Sequence, residues 1–138
     1  MTSKKRILCI SYDESLLITR KMILEQAGFE VTPSVGFAEA MEHCEKDPSF
    51  ALIIMGHSMP RKDKTALISA LRKGCSASVL SIRRHNDPPL PEAEFSIDSY
   101  DGPQSLIEVV NAAIEGKGLA QNQSRQMSTE KRPQGRPN

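Results

Sequence analysis

Three short clusters carry the side chains that could bind an anion or a metal: Ser11-Tyr12-Asp13, Gly56-His57-Ser58, and Ser81 with Arg83 and Arg84. Each cluster lies at or just beyond the end of an apolar run, at residues 7–10, 52–55 and 79–82. Buried strands that end in polar loops deliver such residues to one edge of a sheet, where open α/β domains place their sites. The chemistry on offer is lopsided. Asp13 is the only carboxylate among the three clusters, whereas Mg²⁺ wants several hard oxygen ligands. No metal and no cofactor is therefore expected. His57 has no second His or Cys at a ligand spacing, since His43 and His85 stand in other segments. It reads as an exposed loop residue, and no nucleophile–base pair is recognisable, so the chain reads as a non-enzyme. What remains is an anion pocket: Ser11, His57, Ser58, Ser81, Arg83 and Arg84 offer hydroxyls and guanidinium groups to a phosphate-bearing ligand. No glycine-rich phosphate loop accompanies them.

These clusters need a frame, and the sequence supplies one. The run at 7–10 is a short buried strand. Asp13 is placed to N-cap a helix in which Leu16, Leu17, Arg20, Ile23, Leu24 and Ala27 recur at helical spacing up to Gly28. A second strand at 29–32 and a helix carrying Ala38, Met41 and Cys44 follow, then the strand at 52–55. A third helix is expected over 65–73, with Ala66, Leu67, Ala70 and Leu71 inward, and a fourth strand over 78–82. Pro88, Pro89 and Pro91 then forbid a helix of useful length. A fifth strand at 95–97 and a helix marked by Leu106, Val109, Val110, Ala113 and Ile114 complete the pattern. Strands alternating with helices imply an α/β fold with a parallel sheet covered on both faces. The flavodoxin-like strand order 2-1-3-4-5 is the leading topology, and its switch point brings Ser11-Tyr12-Asp13 against Gly56-His57-Ser58.

Composition bounds the partners. At 138 residues the chain suits one domain, here residues 1–116. The net charge of +1 is uneven: Lys117, Arg125, Lys131, Arg132 and Arg136 face only Glu130, so residues 117–138 form a basic, polar tail expected to be disordered. No aromatic residues are interleaved there for base stacking, which argues against nucleic acid. Cys9, Cys44 and Cys75 are odd in number and read as small buried hydrophobes in a reducing cytoplasm. The apolar run near the start is too short for a membrane span.

The chain resembles the receiver domain of two-component response regulators. Residues 6–31 (RILCISYDESLLITRKMILEQAGFEV), residues 51–73 (ALIIMGHSMPRKDKTALISALRK) and the final helix carry the resemblance, over about Lys5 to Gly116. It implies the receiver-type, flavodoxin-like fold and a place in phosphorelay signalling. It also exposes a degenerate site. The family's acidic pair aligns on Ser11 and Tyr12 or on Tyr12 and Asp13. Its phosphoacceptor Asp aligns on Gly56, its switch hydroxyl on Arg83, its lysine on Gly102 ahead of Pro103, and a glycine beyond Met59-Pro60 on Lys64. The expectation is a pseudo-receiver that works by protein interaction without aspartyl phosphorylation. Its partner would be a sensor kinase or another signalling protein, or a second copy in a homodimer. Two alternatives are a small-anion or nucleotide-binding regulatory module, and a receiver phosphorylated on a substitute such as Asp13, Ser58 or His57. Arg83 is expected beside Asp13, replacing a metal's charge and locking the switch region. Helix 4 of the family is expected to be an irregular loop, so the family's dimer geometry is not carried over. Tyr100 takes the place of a switch aromatic.

Overall fold

The structure, a computed structural model, describes residues 5–47 and 49–115. Five strands, β1 (Arg6–Ser11), β2 (Glu30–Val35), β3 (Leu52–Met55), β4 (Ser78–Arg83) and β5 (Phe95–Asp98), form one parallel sheet of order β2-β1-β3-β4-β5. The register pairs Ile10 with Met55 and Met55 with Ser81, so β1 runs one residue and β4 two residues beyond the end of β3. The expected topology holds. The basic tail expected at residues 117–138 lies outside the described residues.

Period-two alternation sorts each strand between two cores. Leu8, Ile10, Ile53, Met55 and Val79 face α2 (Gly36–Lys46) and α3 (Arg61–Leu71). Ile7, Cys9, Leu52, Ile54, Leu80 and Ile82 face α1 (Glu14–Gln26) and α4 (Gly102–Glu115). Asp13 caps α1 as expected, its carboxylate accepting from Leu16 N at 3.2 Å. That contact is worth about 1 kcal/mol to the helix. Gly28 follows the helix at φ +103°, the left-handed region that favours glycine.

Two helices differ from expectation. In α2 Met41 and Cys44 pack inward as expected, but Ala40 takes the place of Ala38, which is exposed. Helix α3 begins at Arg61, directly after Pro60, rather than at residue 65. Its buried stripe is Lys64, Leu67, Ile68 and Leu71, and Ala66 is exposed. The charged run from Arg61 to Lys64 resembles a loop only in composition. A fixed proline φ and an acidic residue in the first turn, Asp63, suit a helix start.

No helix forms between β4 and β5. The 84–94 segment runs as turns and irregular chain, as its prolines require. It is nevertheless anchored. Leu90 is buried in the α2/α3 core, Arg61 donates to the carbonyls of Pro88 and Pro89, and Arg72 donates to Glu92 O and pairs with Glu94.

Candidate functional site at the strand carboxyl ends

Hydroxyls stitch together the loops that follow β1 and β3. Ser11 is fully buried at the end of β1, and its Oγ lies 3.0 Å from Ser58 Oγ. The backbone N–H of Tyr12 donates to Ser58 Oγ, and that of Asp13 donates to Ser11 Oγ. Tyr12 O–H donates to Asp63 on α3 at 2.6 Å. This bond, more than burial or the charge of Asp63, raises the phenol's pKa. Serine oxygens thus fill the corner with short neutral bonds, and Asp13 turns its carboxylate to the helix amides.

Gly56 leaves the corner without a side chain, and a cation takes the space. A Cβ built on Gly56 would stand 2.7 Å from Arg20 Nη1, and 3.3 Å from Ile10 O. Arg20 reaches there from α1 with 8% exposure, and its Nη2 donates to His57 Nδ1 at 3.1 Å. Arginine has only donors, so the Nδ1 of His57 accepts and the neutral ring carries its proton on Nε2. Burial, then Arg20, Arg84 and Lys64, hold the His57 pKa below its ordinary value. Burial likewise lowers that of Arg20, and Nη1 is a buried donor without a partner among the described residues.

A second cation enters from the opposite face of the sheet. Lys64, 5% exposed, donates from Nζ to Ser81 Oγ at 2.9 Å and to Ile82 O at 2.8 Å. Desolvation brings its pKa down to about 8, against a smaller upward pull from Asp87. Among the described residues neither Arg20 nor Lys64 forms an ion pair with a carboxylate.

Arg83 is a correction. It does not pair with Asp13, and it does not replace a metal's charge there. As the last residue of β4 it turns toward β5: Nε donates to Ser96 Oγ, and Nη1 donates to Asp87 O and lies 3.8 Å from Asp98. Asp98 is its nearer counter-charge because the β4–β5 register places the two side by side. The same carboxylate bonds His85 at 2.8 Å, and the His85 ring stacks on Tyr100 at 4.7 Å. Tyr100 is 78% exposed. Arg84 donates from Nε to His57 O at 3.1 Å. The pocket residues thus divide. His57, Ser81, Arg83 and Arg84 line one cleft with Lys64, while Ser11, Ser58 and Asp13 belong to the hydroxyl corner. Gly102 opens α4 at φ +88°, a conformation in which a lysine would be strained.

Sequence reasoning missed Arg20 and Lys64 as site residues. The signal was available: each is a cation on the apolar stripe of its helix, Arg20 between Leu17 and Leu24, and Lys64 ahead of Leu67 and Ile68. Mg²⁺ does not fit this donor set. The Asp13 carboxylate is already used as a cap and cannot offset the guanidinium lying against Gly56. Among the described residues no group of three His, Cys, Asp or Glu side chains could hold a metal.

Solved structures similar to this chain include receiver domains. A response regulator receiver domain protein from Clostridium thermocellum matches with a TM-score of 0.72 at 22% identity, over 83% of this chain and 98% of that one. A Vibrio cholerae chemotaxis protein, CheY4, matches with a TM-score of 0.70 at 18% identity, over 80% and 99%. The receiver domain of the hybrid histidine kinase CckA matches with a TM-score of 0.68 at 21% identity, over 79% and 98%. This chain has the receiver fold. No family model and no curated protein matches its sequence. At the carboxyl ends of its strands stand two serines, a histidine and two buried cations.

Proposed function

We propose that this chain is a signal-transduction receiver module that acts by protein interaction and independently of aspartyl phosphorylation. The observation that carries this reading is the guanidinium of Arg20 against Gly56. The glycine has no group to phosphorylate, and the space a carboxylate would need is filled by a buried cation. Loss of the acid alone would leave a vacancy; here the vacancy has been packed. The module is read as an adaptor for a sensor kinase or another signalling protein, in the cytoplasm, without a catalytic role of its own. No described helix is long and apolar enough to cross a membrane.

Incubation with a small-molecule phosphodonor and Mg²⁺, followed by intact-mass measurement, tests the reading. The expected result is no phosphoryl gain, together with retention of the same signalling protein from lysate before and after treatment. A gain of one phosphoryl group on Asp13, Ser58 or His57 would replace this reading with phosphorylation at a substitute residue.

A further inference from the structure

The 84–94 segment roofs a cleft at the end of β4 whose lining includes His57, Arg61, Lys64, Ser81, Arg84 and Asp87. Its charge is one-sided: the carboxylate of Asp87 stands alone against the cations, and Arg83 is already committed to Asp98. The donors are also incompletely used. An ammonium has three N–H groups, and Lys64 gives two of them to Ser81 Oγ and Ile82 O. Arg84 uses Nε on the His57 carbonyl, and its terminal nitrogens make no hydrogen bond among the described residues. With Nδ1 engaged by Arg20, His57 adds the Nε2 proton as a further donor. A buried ammonium without a counter-ion is costly, and an anion beside it offsets that cost. A divalent cation would be repelled by the same groups.

We propose that this cleft is a binding site for a small free oxoanion of the phosphate type, held by Lys64 and Arg84 beneath the irregular β4–β5 crossover. The half-open space of about 30 Å³ suits a small ligand. It is roughly two to three times what a single water needs, and an order of magnitude below a pocket for a nucleotide-sized molecule. The anion would lie against the roof, because Arg84 and Arg61 join the cleft to the segment at its start and its middle. Occupancy therefore tightens the crossover. This inference is independent of the interaction role proposed above: an adaptor with an empty cleft and a phosphate-binding domain without a partner are both physically coherent.

The test is thermal unfolding of the full chain in inorganic phosphate, glycerol phosphate or chloride at matched ionic strength, with amide NMR shifts as a second readout. Phosphate is expected to raise the midpoint saturably by about 3–5 °C over chloride, and to shift the amides of His57, Lys64, Ser81 and Arg84. Lys64→Gln and Arg84→Gln should each abolish the phosphate-specific part. Arg84 is exposed, so its variant keeps the test alive if Lys64→Gln does not fold. Arg72→Gln, which loosens the same crossover away from the cleft, should retain the shift. A larger response to glycerol phosphate than to phosphate would sustain the site and assign it to a phosphomonoester. Equal, non-saturating stabilisation of all the variants would be a general salt effect and would overturn the proposal, as would unchanged amide shifts.

Discussion

Arg20 and Lys64 approach the same end of the sheet from opposite faces, one from α1 and the other from α3. Both are nine-tenths buried, and both lack a described carboxylate partner. Their surroundings differ. Arg20 is packed against Gly56 and His57, with one nitrogen left without an acceptor. Lys64 ends on a hydroxyl and a carbonyl beside an open cleft. The first cation fills the space beside Gly56; the second borders a cleft that opens to solvent. The same end of the sheet is thus sealed at one point and open at another.

The contrast can be broken most directly at the seal. Arg20→Ala removes a long buried stem and leaves a void behind Gly56, with an expected loss of about 2–4 kcal/mol in urea unfolding. A loss under a few tenths would mean that the guanidinium is not packed as described. Gly56→Ala should cost about 1–3 kcal/mol by overpacking against Arg20 Nη1. In the Arg20→Ala background most of that cost should vanish, and a double-mutant cycle reads the coupling. Additive effects would separate the two residues and remove the seal.

Lys64 sharpens the comparison through pH. Its folded pKa is about 8 against an ordinary 10.5, so between those values the unfolded chain holds a proton that the folded chain has released. Stability supplied by this group therefore rises as pH climbs through that window. The thiols of Cys9 and Cys44, both pushed up to about 12, act in the opposite sense above their ordinary 9.0. Relative to Lys64→Met, the wild type should gain about 1 kcal/mol between about pH 7 and 9 in matched denaturant titrations. A flat difference would place the ammonium in water. Asp13→Ala should cost about 1 kcal/mol through loss of the α1 cap. A clearly larger loss would give that carboxylate a role in the site.

The frame was legible because each apolar run is short, alternates with helical stripes, and closes on capping or turn residues. The proline-dense crossover could be read for the same reason: three rings exclude a helix whatever surrounds them. The site was legible only as an absence. Which residues fill a vacated position depends on how far a long side chain extends from a helix, and helical spacing fixes a face but not a reach. Arg83 illustrates the opposite error. Its position in sequence suggested Asp13, but strand register gave it Asp98 as a neighbour.

The crossover has a consequence for how this domain yields under load. A helix in that place would hold itself by repeating internal hydrogen bonds, and would melt or shift as a unit. The 84–94 chain is instead held by separate tethers: Leu90 in the core, and the guanidinium groups of Arg61, Arg72 and Arg84 on four different carbonyls. Tethers of that kind release singly. Such a surface changes by degrees, where a helix would change all at once.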